Sequence, residues 1–387
     1  MSRRYRTLVR AVLLAAVVTA SAPQVQAAGP VYNASGGVAE AYAPTQGAWD
    51  NQTLRQIVDL SSGGTQIRVR LTDAYSAQPA WIGHVTVGVQ ESAAQSIDTP
   101  VTATFNGSQS VTIPAGGDAV SDPIALAVAP ATRLAVSIYL PHGANLSQAP
   151  RHDFADETNY NYVGGDVSGV QAMPVTNTFT FDTLISGVDV LGTAPHTVVV
   201  AGDSISDGLG SGASTDTRWP NYLAERMPGW SVLDQGIGGN QVTSDQGASG
   251  LSLQNRLARD VYAVPGVVDL VDADGINDLR SGVSADTLEQ AQAGVVQQAH
   301  QHGIRVLLTT LTPCAGEVRC TPAVQAQQTA YNAWVMSNTV ADGSIDLYRV
   351  LVSANGAIDP ALDSGDHLHP NSAGYRVMAN YVDLSKF

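Results

Sequence analysis

The chain has 387 residues, of which 44% are hydrophobic, and its 34 Asp and Glu outnumber its 19 Lys and Arg for a formal net charge of −15. This length is enough for two domains or one large domain with a buried core, and the composition excludes general disorder, a collagen-like chain and a disulfide-rich miniprotein. A surface with this much negative charge repels phosphate backbones and anionic lipid head groups, so we expect no nucleic-acid partner.

The first 27 residues are typical of a secretory signal peptide. A basic stretch ends at Arg10, the apolar run Ala11 to Ala20 follows, and Val25-Gln26-Ala27 offers a cleavage site. The alternative is a membrane anchor, but a run of about ten residues is too short for a hydrocarbon core that needs about 20. No later segment is apolar enough to span a membrane. We therefore predict a protein that is secreted or periplasmic after cleavage.

Two cysteines, Cys314 and Cys320, lie in one loop between a predicted strand and a predicted helix. In an oxidising compartment, two nearby cysteines in a loop favour a disulfide that stiffens it. A metal site is the alternative, but further ligands are not evident around the two thiols, and we predict no metal.

Residues 29–187 contain short alternating runs of polar and apolar residues and no convincing helical pattern. Turn sequences such as Asn106-Gly107 separate the runs. The alternating runs lie at residues 66–71, 85–89, 110–113 and 134–140. Many short strands joined by turns of this kind predict an antiparallel β-sandwich of jelly-roll type.

The pattern changes near residue 194, where continuous apolar runs alternate with helical stripes. Such runs are expected of strands that are buried on both faces of a parallel sheet. They lie at residues 197–201, 231–233, 267–271, 305–309 and 345–348. Helical patterns separate them, and one is introduced by Thr321-Pro322, a favourable cap and first helical residue. We predict a doubly wound α/β fold, and a division into a signal peptide (1–27), a β-sandwich domain (28–190) and an α/β domain (191–387).

Functional residues in an open parallel sheet gather at the carboxyl ends of its strands. Three polar or glycine-rich segments follow predicted strands, and a histidine pair near the C-terminus adds a fourth segment. The four are Gly202-Asp203-Ser204-Ile205-Ser206, Gln235-Gly236-Ile237-Gly238-Gly239-Asn240, Gly275-Ile276-Asn277-Asp278 and Asp366-His367-Leu368-His369-Pro370.

These segments hold every group that a serine nucleophile requires, namely a base, a partner that orients the base, and donors for the oxyanion. Ser204 is the candidate nucleophile and His369 the candidate base, with Asp366 three residues earlier to orient it. The Ser204 and Gly239 N–H groups and the Asn277 side-chain amide are the candidate donors.

Each segment alone also has a more ordinary interpretation. Gly-Asp-Ser and the glycine run are common turn sequences, and Asn277-Asp278 can serve as a helix cap. His367 and His369 can bind a metal together, although no carboxylate set of clear spacing completes such a site. No Gly-x-Ser-x-Gly pentapeptide occurs in the chain, so the nucleophile elbow of the α/β-hydrolases is disfavoured.

Together and in this order, the segments resemble the four blocks of the SGNH/GDSL hydrolase superfamily. The matching residues are Ser204 in Gly-Asp-Ser-Ile, Gly239 in Gly-Ile-Gly-Gly-Asn, Asn277 in Gly-Ile-Asn-Asp and His369 in Asp-His-Leu-His-Pro-Asn. The resemblance covers about residues 195–387 and implies a flavodoxin-like sheet and no cofactor. It also implies a Ser204–His369–Asp366 triad and an oxyanion hole formed by Ser204, Gly239 and Asn277.

The upstream half, with residues 51–58 and 68–71, resembles secreted bacterial members of this superfamily that carry a β-sandwich before the hydrolase domain. We therefore predict a secreted serine ester hydrolase, with an acetylated carbohydrate as its substrate. Two alternatives stay open: a lipase or aryl esterase acting on lipid or small acyl esters, and a secreted glycan-binding protein whose hydrolase half is inert.

Overall fold

The amino-terminal part of the fold is built from antiparallel strands. The computed structural model describes residues 32–42, 49–144, 149–153, 157–192 and 196–387, so the predicted signal peptide and the first residues of the predicted sandwich domain lie outside the described residues. The strands of this part are β1 (Asn33–Gly36), β2 (Gln52–Asp59), β3 (Gln66–Thr72), β4 (Ala80–Ile82), β5 (His84–Ser92), β6 (Gln95–Ser96), β7 (Val101–Ala103), β8 (Val111–Ile113), β9 (Asp118–Val120), β10 (Arg133–Leu140), β11 (Asn159–Val163), β12 (Asn177–Phe179) and β13 (Ile185–Leu191).

Two of the antiparallel sheets face each other across a common core. One has the order β1-β13-β3-β9, and the other has the order β12-β11-β2-β10-β5-β6 with β7 paired to β5. Strand β3 illustrates the sequence pattern behind this arrangement. Its apolar side chains alternate with polar ones, so one face is buried in the core while the other is partly exposed. Leu54 and Val136 of the larger sheet meet Val69 and Val188 of the smaller one in a single hydrophobic cluster. The predicted β-sandwich class is confirmed.

The carboxyl-terminal part is organised around a parallel sheet. Its strands are β14 (Thr197–Gly202), β15 (Ser231–Gly236), β16 (Val267–Ala273), β17 (Arg305–Thr309) and β18 (Gly343–Ile345). Their order is β15-β14-β16-β17-β18, and every pairing is parallel. Numbered within this sheet, the order is 2-1-3-4-5, the flavodoxin-like arrangement. All of β14 is buried, as its continuous apolar run predicts.

Helices connect the strands of this sheet. They are α1 (Ser204–Asp207), α2 (Trp219–Arg226), α3 (Leu253–Leu257), α4 (Ile276–Arg280), α5 (Ala285–Gln301), α6 (Pro322–Ser337), α7 (Leu347–Leu351) and α8 (Ser372–Tyr381), and a π-helical turn at Ala258–Tyr262 extends α3. Thr321 caps α6 as predicted, because its hydroxyl accepts a hydrogen bond from the Val324 N–H. The apolar stripes of α5 and α6 enter the same core as the sheet.

The predicted strand at residues 345–348 is wrong in its position. Strand β18 ends at Ile345, and α7 begins at Leu347. The Asp346 carboxylate accepts a hydrogen bond from the Arg349 N–H and so starts the helix. A short apolar run cannot distinguish a buried strand from a buried helical turn, and here the capping aspartate decides between them.

The two parts pack directly against each other, and the described residues from 32 onward form one compact unit. The Ser62 and Ser231 hydroxyls lie 2.6 Å apart, and the Ser61 hydroxyl accepts a hydrogen bond from the Val232 N–H. The division at residues 190 and 191 stays a prediction, since β13 extends to Leu191 and residues 193–195 lie outside the described residues. Within the described part of the chain, no helix has both the length and the hydropathy needed to cross a bilayer.

Candidate active site

The carboxyl ends of three neighbouring strands bring three of the four sequence segments together. In the register of the parallel sheet, Gly202 pairs with Gly236 on one side and with Ala273 on the other. The loops that carry Ser204, Gly239 and Asn277 therefore leave the sheet from one row, at the edge where functional groups are expected.

Ser204 is held at the start of a very short helix. The Asp203 carboxylate caps this helix by accepting a hydrogen bond from the Ile205 N–H at 2.9 Å. Helix α1 ends at Asp207, and the next residue, Gly208, caps it with a left-handed backbone. At Gly202, a Cβ atom would lie 2.5 Å from the Ser206 Oγ, so the turn leaves no room for a side chain there. The packed turn fixes Ser204 with 7% of its surface still exposed.

A serine, a histidine and an aspartate contact one another in series. The Ser204 Oγ lies 2.8 Å from the His369 Nε2, and the His369 Nδ1 lies 2.5 Å from the Asp366 Oδ2. The other carboxylate oxygen of Asp366 accepts hydrogen bonds from the Leu368 and His369 N–H groups. The turn between residues 366 and 369 thus positions both the carboxylate and the imidazole.

The ionisation of Asp366 sets the tautomer of His369. Burial alone would raise the pKa of Asp366, but hydrogen bonds from the His369 N–H and ring and from the Leu368 N–H lower that pKa to about 2. A carboxylate that stays charged only accepts hydrogen bonds, so it keeps a proton on the His369 Nδ1. The Nε2 lone pair then faces the Ser204 hydroxyl.

The three candidate oxyanion donors differ in the hydrogen bonds that they already make. Among the described residues, neither the Ser204 N–H nor the Gly239 N–H donates a hydrogen bond to another protein group. The Asn277 Nδ2 donates to the Asp203 carboxylate at 3.2 Å and to the Asn240 carbonyl at 3.1 Å. Both distances are at the long end for such hydrogen bonds, so a charged oxygen such as an oxyanion can replace either acceptor of the Asn277 amide.

The orientation of Asn277 depends on an ion pair that the sequence did not reveal. The Arg280 guanidinium donates to the Asn277 Oδ1 at 3.0 Å, which leaves the Nδ2 facing the site. The same guanidinium pairs with both carboxylate oxygens of Glu317, at 2.9 and 3.2 Å. Glu317 lies inside the loop closed by a disulfide between Cys314 and Cys320. The disulfide loop therefore contacts the oxyanion side of the site through Arg280.

The other histidine of the motif, His367, binds a different carboxylate, and His369 is the histidine that contacts Ser204. His367 has a left-handed backbone with φ of 65°, and its exposed ring binds the Asp363 carboxylate through Nδ1 at 2.8 Å. His367 and His369 each have a different carboxylate on Nδ1, and among the described residues the cluster with metal-like spacing is Asp59, Glu157 and Asp216. That cluster already pairs with the Arg133 guanidinium.

Several carboxylates are buried beneath the site. Burial raises the pKa of Asp203 and of Asp272 to about 7, and it raises the pKa of Asp274 well above its usual range. The Asp272 Oδ1 accepts hydrogen bonds from the Gln292 amide and the Asp274 N–H, while its Oδ2 has no partner among the described residues. Compared with the unfolded chain, the folded protein therefore favours the protonated form of these three carboxyl groups.

We expect the melting temperature to fall as the pH rises from about 4 to about 7, because the carboxyl groups of Asp203 and Asp272 have a raised pKa in the folded state, stabilise it fully below their unfolded pKa and lose that contribution as the pH reaches the folded value. Calorimetry at a series of pH values measures this slope. In the Asp272→Asn protein the fall should be smaller, whereas Asp383→Asn, which removes an exposed carboxylate, should leave it unchanged. A melting temperature that is flat or rises over this range would contradict the prediction.

Comparison with known proteins assigns this part of the chain to a family. Residues 200–377 match the model of the GDSL-like lipase/acylhydrolase family. No curated protein matches the chain. Similar solved structures include a GDSL-like lipase from Bacteroides thetaiotaomicron, which is 20% identical with a TM-score of 0.40 and covers 50% of this chain and 88% of its own.

Two further similar structures are those of esterases named for carbohydrate substrates. The acetyl xylan esterase AlAXEase is 20% identical with a TM-score of 0.38, covering 48% of this chain and 96% of its own. A family two carbohydrate esterase from Cellvibrio japonicus is 12% identical with a TM-score of 0.39, covering 91% of this chain and 93% of its own. Similarities at these TM-scores carry no conclusion about substrate. The family match stands by itself: residues 200–377 are a domain of the GDSL-like lipase/acylhydrolase family, an SGNH-type carboxylic ester hydrolase domain.

Proposed function

We propose that this protein hydrolyses carboxylic esters with Ser204 as its nucleophile. The observation that carries the proposal is the unbroken series of contacts from the Ser204 Oγ through the His369 ring to the Asp366 carboxylate, at 2.8 and 2.5 Å. The Ser204 Oγ attacks the ester carbonyl while the His369 Nε2 takes its proton. The imidazolium then gives that proton to the departing alcohol, and water repeats the sequence to release the acid.

The oxyanion of the tetrahedral intermediate is bound by the Ser204 N–H, the Gly239 N–H and the Asn277 amide. The two unpaired backbone donors and the weakly engaged amide support this assignment, because donors that are already in place need no reorganisation during the reaction. In other serine hydrolases, removing one such donor lowers kcat by about 10²- to 10³-fold.

We further propose a short acyl group, acetate, carried on a carbohydrate. The acidic composition and the predicted export of the chain suit a polar extracellular substrate better than a lipid surface. A large cavity of about 720 Å³ lies between the two parts of the fold, beside strands β2 and β15, but it includes none of Ser204, Gly239, Asn277 and His369. That cavity is therefore not an acyl-chain pocket of this site.

A panel of esters tests the substrate proposal. We expect release of acetate from acetylated xylan and hydrolysis of p-nitrophenyl acetate, with kcat/KM falling as the p-nitrophenyl ester lengthens to eight and then sixteen carbons. A preference for the long chains would instead support a lipase. Binding of xylan without any ester hydrolysis would support the alternative of a glycan-binding protein with an inert hydrolase half.

A further inference from the structure

One histidine of the sandwich part is buried beneath the candidate active site. His152 is 2% exposed, its Nδ1 lies 2.8 Å from the Ala39 carbonyl oxygen, and its Nε2 lies 3.0 Å from the Asp207 Oδ1. A carbonyl and a carboxylate are both acceptors, so each ring nitrogen must donate and the ring must carry two protons. His152 is therefore a buried imidazolium paired with Asp207.

Asp207 joins the helix of Ser204 to the loop of Gly239. It is the last residue of α1, and its Oδ2 accepts a hydrogen bond from the Gly238 N–H at 3.0 Å. The packing around it is tight: a Cβ atom at Gly236 would lie 2.3 Å from the Asp207 backbone nitrogen. A shift of Asp207 would move the Gly238–Gly239 peptide, and with it the Gly239 N–H.

A second, apolar contact holds the same loop against the sandwich part. Ile237 packs with Ala39 and Ala41 in a small buried cluster. The Ala41 N–H donates to the Arg151 carbonyl at 2.9 Å, so the segment with Ala39 and the segment with His152 form one unit. This unit contacts the loop of residues 236–240 through both an ion pair and apolar packing.

We propose that the sandwich part completes the active site, with His152 as a positioning residue that holds Asp207 and thereby the Gly239 oxyanion donor. This inference rests on the proposed ester hydrolysis and deepens it. His152 also neutralises Asp207, which without a cation would be a buried negative charge close to the site where an oxyanion forms. The sandwich part thus contributes to the transition state without touching the substrate.

Two substitutions of His152 test the proposal in the full-length protein. We expect His152→Leu to lower kcat for p-nitrophenyl acetate by about tenfold to a hundredfold with KM changed less than about twofold, because an interaction realised only in the transition state affects kcat. His152→Gln keeps one hydrogen-bond donor but no charge, so its kcat should lie between those of the wild type and of His152→Leu. His84→Leu is the matched control, since His84 is a sandwich histidine paired with Asp166 and should leave kcat unchanged.

The pH profile separates positioning from a purely structural role. Burial alone would lower the pKa of His152, but Asp207 and Asp182 raise it to about 9. Among the described residues, the carboxyl groups that interact electrostatically with this imidazolium include Asp207, Asp182, Glu40 and Asp234. We expect wild-type kcat to fall above about pH 9 as the ring loses its proton, and the His152→Gln protein to lack this fall.

The outcomes are distinct. A His152→Leu protein with a lower melting temperature and an unchanged kcat, or with only a raised KM, would overturn the positioning role. If His152→Leu does not fold, the kcat and pH profile of His152→Gln decide. Activity that persists after Ser204→Ala would overturn the proposed function itself, whatever the His152 variants show. A fluorophosphonate that labels Ser204 in every folded variant shows that the nucleophile is intact in each comparison.

Discussion

Replacing Ser204 with alanine should lower kcat for p-nitrophenyl acetate by about 10⁴-fold or more while the fold persists. The expectation follows from the loss of the nucleophile: in another serine hydrolase, removing the serine costs about 2 × 10⁶ in kcat, and a residual rate comes from the oxyanion donors and substrate binding. The fold should persist because alanine removes only the Ser204 Oγ, a single atom in contact with the His369 ring, and so creates only a small void.

Ser206→Ala is the matched control for this experiment. Ser206 lies on the same short helix, is fully buried, and has an Oγ with no hydrogen-bond partner among the described residues. Its removal should change kcat by less than about threefold, since no paired group is lost. Steady-state kinetics with circular dichroism on both proteins make the comparison. If Ser204→Ala hydrolyses the ester at the wild-type rate, Ser204 is not the nucleophile.

The fold could be predicted from the sequence because it rests on local periodicity. The alternating residues of β3 predict a strand with one buried face, and the continuous apolar run of β14 predicts a strand buried on both faces, as the structure shows. The failure at residues 345–348 has a local cause as well: the run is short, and the side chain of Asp346 decides the start of a helix there. The four motif segments were found because each directly follows a strand or lies in one turn.

The supporting residues could not be predicted, because they depend on how distant segments pack. His152 and Asp207 come from different parts of the fold, and neither has a sequence pattern that points to the other. The same holds for the pair of Arg280 and Glu317. Motifs identify groups that touch the reacting atoms, whereas the residues that hold those groups are specified by tertiary packing alone.

The second prediction with a large effect on kcat concerns two neighbouring His–Asp pairs, of which only one contacts Ser204. Asp366 binds the histidine that contacts Ser204, while Asp363 binds His367, which has a left-handed backbone and a half-exposed side chain. Both pairs have a carboxylate on Nδ1, and both carboxylates also accept backbone N–H groups. They differ in whether the imidazole reaches the Ser204 hydroxyl, which makes one pair the natural control for the other.

Asp366→Asn should lower kcat by about 10³- to 10⁴-fold, a range guided by the same substitution in a serine protease. The asparagine carbonyl oxygen can keep the hydrogen bonds from the Leu368 and His369 N–H groups, and its amide NH₂ then faces the His369 Nδ1. A donor at that position requires an unprotonated Nδ1, so the proton moves to Nε2 and His369 can no longer accept one from Ser204.

Asp363→Asn makes the same chemical change at the second pair and should alter kcat by less than about threefold. Steady-state kinetics with p-nitrophenyl acetate compare the two variants, and NMR of the ring nitrogens reads the tautomer of His369 directly. Equal losses in both variants would mean that the two carboxylates act by supporting the loop of residues 363–370, and not by fixing a tautomer. A loss confined to Asp366→Asn, together with a proton on the His369 Nε2, would mean that Asp366 acts by keeping the His369 proton on Nδ1, so that Nε2 can accept the proton of Ser204.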